Sequence, residues 1–383
     1  MSMSLEGLKI LDLTRVLAGP YCTMILADLG AEVIKVEAPG GSDETRDWGP
    51  PFQHGVSAYY LCANRNKKSI TIDLKSSNGI KYLKEIIKES DVIVNNFKTG
   101  TMERFGLDYQ TLSTLNPSII YASITGFGET GPYKDMPGYD FIIQAMSGLM
   151  SITGSPESGP QKVGIAITDV LTGLYTCIGI QAALLERQHS GKGQKIDISL
   201  YDTAVSSLVN VASNYLMSSQ KPKLLGNSHP NIVPYETFKT KDRDVVIAVG
   251  NDAQFKRLCH ILQLDYLSND NRFRTNASRV QHRDLLIPLL QESLTLQTSK
   301  YWIKALQEKK IPCGPIQTID NLPEDLQLKS REMFVSMHHQ TAGPIKLIGN
   351  PLKLSRTPVT YRHAPPNPGE HNNDYIHLKG DME

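Results

Sequence analysis

The sequence predicts an α/β protein, with helices packed on a parallel sheet and a smaller α+β domain inserted late in the chain. Short apolar segments suited to strands alternate with helical segments through the first half of the chain. This alternation favours a parallel sheet that is covered on both faces. After about residue 220, a strand pair and closely spaced helices replace the alternation, which indicates a second domain.

The first strand–helix–strand unit is bounded by proline and glycine. Residues 8–13 form a short apolar run, and a turn at residues 15–19 follows it. Pro20 fits the first position of a helix, where its missing N–H costs nothing. The helix is expected to end at Gly30, and residues 31–37 form the next strand.

The remaining elements follow the same patterns. In the first half we predict strands at 69–74, 91–97 and 118–125, and helices at 78–89, 140–150 and 170–187. The second domain is predicted to contain strands at 235–240 and 244–249 and helices at 253–262, 280–294 and 299–309. The large domain would comprise residues 1–220 with 330–383, and the small domain residues 225–325. Strands and extended chain are expected at 343–361, and the tail beyond is expected to be loosely ordered.

Composition excludes several classes of protein. The 383 residues carry 40 basic and 39 acidic side chains, so no global charge attracts nucleic acid or an anionic membrane. No apolar run approaches the roughly 20 residues of a membrane span. The histidines are scattered, so no metal site is expected. The cysteines are odd in number and lack a CxxC pair, which predicts reduced thiols and a cytoplasmic location; they are Cys22, Cys62, Cys177, Cys259 and Cys313.

One glycine pattern matches a dinucleotide-binding motif but lacks its context. Residues 126–131 read GFGETG, which fits GxGxxG and follows a predicted strand. Pro132, Pro137 and Gly138 come next, so no helix starts there to hold a pyrophosphate. The glycines are instead expected to let this loop approach a ligand or another part of the backbone.

Asp169 is the most informative carboxylate in the chain. An apolar run leads to it and a helix leads away, so it lies in a helix first turn with free N–H groups. There it is expected to stay ionised among apolar neighbours, as a nucleophile for acyl transfer requires. The alternative is that Asp169 only caps the helix, a common role for aspartate.

Other polar groups lie next to predicted strands. Asn96 and Phe97 end a strand, where parallel sheets bind ligands, and Arg104 follows; they would hold phosphates and an adenine, or form a solvated basic surface. For Lys67 and Lys68, before another strand, the solvated surface is preferred. Tyr139 would donate a hydrogen bond to a reacting carbonyl oxygen or lie in the core.

Four stretches together resemble the class III CoA-transferases, which include the related α-methylacyl-CoA racemases. They are LDLTRVLAGPYCTMILADLGAEVIKVE, NRNKKSITIDLK, SITGFGETGPYKDMPGYD and VGIAITDVLTGLY. The resemblance extends from about residue 5 to 358, with the motifs in the expected order. Two further stretches, GNSHPNIVPYETFKTKD and ANRNKKSI, are most similar to the succinyl-CoA:glutarate branch.

The resemblance implies a fold and an activity. The fold would be a Rossmann-like large domain, closed by the C-terminal segment, with a small domain and an interlocked ring-shaped homodimer. The activity would move coenzyme A from an acyl-CoA, with succinyl-CoA favoured, to a free acid such as glutarate. Acyl-CoA would be a substrate, and no cofactor would be permanently bound.

The resemblance also implies site residues. Asp169 would attack the thioester, form a mixed anhydride and then an enzyme–CoA thioester, while Tyr139 stabilises the oxyanions. Leu17 would lie at the acceptor, where formyl-CoA:oxalate transferases have glutamine, which counts against oxalate. Gly250 would cap the pocket, and Ala38 replaces an arginine near the adenine in many members. The CoA site would be lined by Arg15, Val16, Ala18, Ile72, Lys75, Asn96, Phe97 and Arg104.

Two other functions stay open at this point. An α-methylacyl-CoA racemase needs a base on each face of the substrate, and racemases have histidine where this chain has Tyr139. A phenol with a pKa near 10 is a poor replacement for that base. The other alternative is a non-catalytic CoA-binding protein, against which the joint presence of Asp169 and Tyr139 argues.

Overall fold

A computed structural model describes residues 3–379 of the chain. Its strands, in chain order, are β1 Lys9–Leu13, β2 Glu32–Glu37, β3 Phe52–Gln53, β4 Val56–Ser57, β5 Lys67–Thr71, β6 Val92–Asn95, β7 Ile120–Thr125, β8 Gly154–Ser155, β9 Gly159–Pro160, β10 Lys195–Ser199, β11 Tyr235–Lys239, β12 Asp244–Ala248, β13 Cys313–Pro315, β14 Phe334–His339 and β15 Gly343–Ile348.

The helices, in the same order, are α1 Ala18–Asp28, α2 Ala58–Leu61, α3 Ser77–Lys88, α4 Thr101–Arg104, α5 Tyr109–Leu115, α6 Asp140–Met146, α7 Leu149–Ile152, α8 Ile167–Ser190, α9 Leu200–Ser206, α10 Val209–Ser218, α11 Asp252–Ile261, α12 Asp265–Asn269, α13 Asn276–Gln281, α14 Arg283–Leu294, α15 Ser299–Glu308 and α16 Leu326–Ser330. Short 3₁₀ turns occur at Glu44–Arg46, Ile319–Glu324 and Asn372–Lys379.

Two compact units make up the structure. The large unit contains the chain up to Leu149, Val163–Leu208 and the chain from Leu326 onward. The small unit contains Met150–Lys162 and Val209–Asp325. The first boundary therefore falls near residue 208, whereas the sequence placed it near 220, and residues 150–162 group with the small unit.

The large unit is organised around a six-stranded sheet, as the sequence predicted. Its order is β10-β7-β6-β1-β2-β5, and every neighbouring pair is parallel. The chain extends the sheet in one direction from β1 to β5 and in the other from β6 to β10. The order of the strands therefore reverses between β1 and β6, and such a point leaves a crevice at the carboxyl ends of the strands.

Helices α1 and α8 pack together on one face of this sheet. The structure starts α1 two residues before Pro20, so the predicted position of this proline as the first helical residue is wrong. Every residue of α1 except Tyr21 is buried. Gly173 lets the two helices approach closely, because a Cβ atom there would lie 2.7 Å from the carbonyl oxygen of Ala18.

Helix α8 is longer than predicted and is apolar enough in composition to cross a membrane. Among the residues that the structure describes, it alone passes that test. It contributes Cys177, Ile180, Ala183 and Leu184 to a core shared with α1 and the sheet. It is therefore a core helix of the large unit.

Two fully buried ion pairs lie in the large unit. Lys67 is fully buried, and its Nζ donates to Asp12 Oδ2 at 2.9 Å. Lys35, also fully buried, donates to Asp43 Oδ2 at 2.8 Å. The preferred interpretation of Lys67 as solvated surface is thus wrong, because the carboxylate of Asp12 on β1, two strands away in the sheet, compensates its burial.

The C-terminal tail is ordered against the large unit, contrary to the sequence prediction. The backbone N–H of Asn66 donates to the carbonyl of His363, and that of His371 donates to the carbonyl of Ser69. The sequence suggested a loose end because Pro, Asn and Gly are frequent there. These residues instead let an extended segment follow the edge strand β5 and pair with its polar groups.

The small unit has its own core. The sheet β11-β12-β13 is antiparallel, which confirms the predicted strand pair. Helices α11 and α15 contact each other, and their buried faces join this sheet in one apolar cluster that includes Phe255, Trp302 and Leu306. The predicted helix at 280–294 is divided into α13 and α14 at His282.

Candidate active site

The turn after β1 lies at the point where the strand order reverses. The backbone N–H of Arg15 donates to Asn96 Oδ1 at 3.0 Å, and Asn96 Nδ2 donates back to the carbonyl of Arg15 at 2.7 Å. Asn96 directly follows β6, the neighbouring strand. The two strand ends are therefore joined at the position where an open α/β sheet usually binds its ligand.

The glycine-rich loop after β7 supplies another wall of the same crevice. A Cβ atom at Gly126 would lie 2.7 Å from the Cα atom of Gly138, so the two backbones touch and neither position has room for a side chain. This confirms the prediction that the glycines allow a close backbone approach. The contact places Tyr139, which starts α6 as its N-cap residue, beside the sheet edge.

Asp140 fixes the beginning of helix α8. Its Oδ1 accepts hydrogen bonds from the backbone N–H of Thr168 at 2.9 Å and from the Thr168 hydroxyl at 2.8 Å. Gln144 Nε2 donates to the other oxygen at 2.8 Å. The side chain that accepts the hydrogen bond from this helix terminus thus belongs to Asp140 of helix α6. Asp169 therefore does not cap helix α8.

Asp169 is half-buried in the first turn of α8. Burial raises its pKa to about 7, and the negative charge of Asp140 adds to this increase. The backbone N–H of Ala18 opposes the increase by donating to the carboxylate. The expectation of a carboxylate that is fully ionised because of the helix terminus is thus wrong: near neutral pH the group is divided between its acid and its base form.

These residues line one cleft of about 280 Å³. Its polar lining includes three basic side chains, Arg15, Lys98 and Lys134, and three carboxylates, Glu44, Asp135 and Asp169. The guanidinium of Arg15 also lies 5.5 Å from the centre of the Phe97 ring. The cleft therefore combines anion-binding groups and an aromatic face with a single carboxylate of raised pKa, Asp169.

Residues 5–372 match the family model described as CoA-transferase family III. The chain belongs to this family. This CoA-transferase is also 43% identical over 373 residues to the succinate–glutarate CoA-transferase of Agrobacterium fabrum, an alignment that covers 96% of this chain and 93% of the relative. Human succinyl-CoA:glutarate CoA-transferase is 43% identical, with 96% of this chain and 84% of the human protein covered.

Solved structures give the same assignment of the fold. A CaiB/BaiF family protein from Brucella suis superposes with a TM-score of 0.86 at 42% identity, covering 99% of this chain and all of the other.

A sequence relative with a different acceptor in its name is the acetyl-CoA:oxalate CoA-transferase of Acetobacter aceti. It is 37% identical, over 91% of this chain and 89% of its own length. Family membership thus covers transfer of CoA to carboxylic acids in general.

The structure brings most of the predicted site residues of this CoA-transferase together. The cleft is lined by Arg15, Val16, Ala18, Asn96, Phe97, Tyr139 and Asp169. They come from the ends of β1 and β6, from the loop after β7 and from α8. Their shared location follows from the parallel sheet, which gathers the ends of neighbouring strands at one edge.

Four predicted residues of the large unit do not line this cleft. Ile72 is 3% exposed in an apolar core, so its side chain offers no surface to a ligand. Lys75 and Arg104 are exposed outside the cleft, and Leu17 is the half-buried N-cap residue of α1. The remaining predicted residue, Gly250, belongs to the small unit, where its N–H donates to Gln254, and its role at the pocket stays a prediction.

Three residues near the site were missed from the sequence. Lys134 and Glu44 line the cleft. Lys134 lies within the stretch SITGFGETGPYKDMPGYD, but its side chain was not singled out, and Glu44 lies outside the four quoted stretches. Tyr59 is the third: burial and the nearby charge of Asp169 raise its pKa to about 12. Tyr59 lies more than a hundred residues from Asp169, so only the fold brings the two together. Among residues 3–379, no three His, Cys, Asp or Glu side chains are grouped as metal ligands.

Proposed function

We propose that this enzyme transfers coenzyme A from succinyl-CoA to a small dicarboxylic acid such as glutarate. The observation that carries the proposal is Asp169, a carboxylate of raised pKa in a cleft that also holds basic groups. The choice of donor and acceptor follows from the names of the relatives at 43% identity. The relative named as an acetyl-CoA:oxalate CoA-transferase is less similar, at 37% identity.

The proposed reaction proceeds through two covalent intermediates on Asp169. One carboxylate oxygen attacks the thioester carbonyl carbon, the C–S bond breaks, and a mixed anhydride and the CoA thiolate result. The thiolate then attacks the Asp169 carbonyl carbon, releases the donor acid and forms an aspartyl–CoA thioester. The acceptor carboxylate attacks this thioester, and the same steps in reverse deliver the new acyl-CoA.

The other residues lining the cleft have separate roles in this proposal. Arg15, Lys98 and Lys134 would bind the phosphates of CoA, and Phe97 would contact its adenine. Tyr139 is 63% exposed, and its hydroxyl has no hydrogen-bond partner within residues 3–379. It is thus free to donate to the oxyanion that forms on the substrate carbonyl.

The structure favours transfer over racemisation. No histidine is among the described residues that line the cleft, and Tyr139 occupies the position at which a second base would be needed. Exchange of an α-proton needs such a base on the opposite face of the substrate from Asp169. A racemase is therefore not supported as a second function.

We further propose that the enzyme acts as a homodimer. The large unit exposes a set of apolar side chains around α6 and α8 that a monomer would leave in water; they are Phe141, Ile165, Ile178 and Leu185. Light scattering is expected to give twice the 42.5 kDa mass of the chain. Ile178→Glu would lower that mass because it places a charge in the interface, whereas a wild-type mass of one chain would contradict the dimer.

We place the enzyme in the cytoplasm. All five cysteines are free thiols, including the exposed Cys62. Free thiols persist in a reducing compartment.

The test of the proposed function is a competition between acceptor acids. The enzyme is incubated with succinyl-CoA and glutarate, oxalate, carnitine, malate and acetate together, and the CoA esters are identified by mass spectrometry. We expect glutaryl-CoA to form fastest, with one succinate released for each ester. If another CoA ester formed faster, its acid would replace glutarate as the proposed acceptor. If folded protein formed no new CoA ester, transfer from succinyl-CoA would be refuted.

A further inference from the structure

The turn between β1 and α1 is held by side chains from outside it at three consecutive residues. The N–H of Thr14 donates to Asp12 Oδ1 at 2.9 Å, and the Asn96 amide binds Arg15 on both sides of its backbone. The N–H of Val16 donates to Asp43 Oδ1 at 3.1 Å. These hydrogen bonds restrict the turn to one backbone conformation.

The backbone conformation of Val16 explains why the turn needs these hydrogen bonds. Its φ angle is +70°, a left-handed conformation that a β-branched residue rarely adopts because its Cβ substituents collide with the backbone. Such a conformation persists only when the surrounding structure enforces it. The hydrogen bond from the Val16 N–H to Asp43 acts directly on the strained residue.

Asp43 is in turn fixed on all sides. Its side chain is fully buried, and Oδ1 also accepts from the hydroxyl and the N–H of Thr45 at 2.7 and 3.1 Å. Oδ2 accepts from Lys35 Nζ, which also donates to the carbonyl of Thr14 at 2.8 Å. The two members of this buried ion pair therefore hold different residues of the turn: Asp43 binds the N–H of Val16, and Lys35 binds the carbonyl of Thr14.

The turn ends at Ala18, which contacts helix α8 with both of its peptide groups. Ala18 and Asp169 line the same cleft, and the N–H of Ala18 faces the Asp169 carboxylate, where it lowers the pKa of that group. The carbonyl of Ala18 packs against Gly173, one helical turn after Asp169, where only glycine fits. The position of this N–H relative to Asp169 thus depends on the conformation of Val16, two residues earlier.

We propose that Asp43 is a positioning residue for Asp169: by holding Val16 in its left-handed conformation, Asp43 sets the Ala18 N–H against the reacting carboxylate. The inference rests on the proposed transfer reaction and assigns a role in it to a carboxylate that touches no substrate. The Ala18 N–H would bind the same oxygen atom when Asp169 becomes an anhydride or a thioester. Misplacement of this donor therefore slows the chemical steps.

Asp43→Asn is the decisive variant because both oxygens of Asp43 accept hydrogen bonds. An amide accepts on one side only, and its NH₂ group meets a donor on the other side. One orientation loses the Val16 and Thr45 bonds, and the other displaces Lys35, which holds the carbonyl of Thr14, so either orientation loosens the turn that fixes Val16. We expect kcat to fall about 100-fold, the effect of a displacement of the order of 1 Å at a reacting group. The KM for succinyl-CoA is expected to change much less, because the basic groups of the cleft remain.

Asp28→Asn is the matched control. Asp28 is equally buried and ion-paired, with Arg65, but it lies at the last residue of α1, far along the chain from Val16. This variant is expected to lose stability while its folded fraction keeps the wild-type kcat. Equal kcat values for Asp43→Asn and wild type, or equal losses of kcat in the two variants, would overturn the inference.

Coupling to Val16 separates positioning from general damage. Glycine adopts a φ of +70° without steric cost, so Val16→Gly removes the strain that Asp43 opposes. In that background Asp43→Asn is expected to reduce kcat by a much smaller factor than in the wild type. The same factor in both backgrounds would show that Asp43 does not act through Val16.

A measurement without substrate keeps the inference separate from the proposed function. The titration of the Asp169 carboxyl carbon is followed by NMR with ¹³C-labelled aspartate, its signal identified by its absence in Asp169→Asn. Loss of the Ala18 donor is expected to move the midpoint of the titration to higher pH in Asp43→Asn, because burial and the charge of Asp140 still raise the pKa of the carboxyl group. An unchanged midpoint would overturn the inference, whereas lack of transfer by the wild type would overturn the proposed function alone.

Discussion

Asp169→Ala is expected to lower kcat for CoA transfer by at least about 10⁴-fold, the scale of loss when a covalent nucleophile is removed. The reason is that both proposed intermediates, the mixed anhydride and the thioester, are acyl derivatives of this one carboxyl group, which lines the cleft. Transfer is measured as glutaryl-CoA formed from succinyl-CoA. Binding of free CoA, measured by calorimetry, is expected to persist because Arg15, Lys98 and Lys134 remain.

The matched control for this variant is Asp202→Ala. Asp202 occupies the third position of helix α9, as Asp169 does in α8, but it is exposed and does not line the cleft. The two substitutions thus remove the same charge from equivalent helix positions, and only Asp169→Ala should abolish transfer. Turnover by Asp169→Ala above the level of a vector-only preparation would contradict the covalent route.

The parallel sheet, and a ligand site at the carboxyl ends of its strands, were predictable from local patterns. Alternating apolar and amphipathic segments predicted a parallel sheet, and a parallel sheet gathers the ends of β1, β6 and β7 at one edge. Asn96 was therefore expected at a ligand site, whereas only the family resemblance grouped it with Arg15. Gly126 and Gly138 were also correctly expected to meet another backbone, because their neighbouring prolines excluded a helix.

The electrostatics of the site were not predictable in this way. The pKa of Asp169 depends on Asp140, which replaces it as the partner of the Thr168 N–H, and on burial by α1. Neither contact is visible in the sequence around residue 169, which resembles that of an ordinary helix cap. Lys67 was misjudged for the same reason, since its partner Asp12 lies 55 residues earlier on another strand.

Asp169→Asn is expected to stabilise the folded protein at pH 8 while it abolishes transfer. The folded pKa of Asp169 is about 7, above its ordinary value of 3.8, so the folded state disfavours the charge. Between these two values the folded wild type holds a proton that the unfolded chain has lost, and its stability therefore falls as pH rises through this window. The difference between the folded and the ordinary pKa of Asp169 converts to free energy at about 1.4 kcal/mol per pKa unit. Because solvent screens a half-buried group, we reduce this value and expect the variant to be more stable than the wild type by about 2 kcal/mol at pH 8.

Denaturant unfolding of wild type and Asp169→Asn at pH 4 and pH 8 measures this effect. The variant should match the wild type near pH 4, where Asp169 is protonated in the folded state, and exceed it at pH 8. Asp108→Asn provides the opposite case: hydrogen bonds from Thr111 lower the pKa of Asp108, so its charge adds stability as pH rises. If Asp169→Asn were no more stable than wild type at pH 8, Asp169 would be an ordinary helix-terminal aspartate. A gain confined to high pH would instead identify a carboxylate that the fold maintains at a cost in stability.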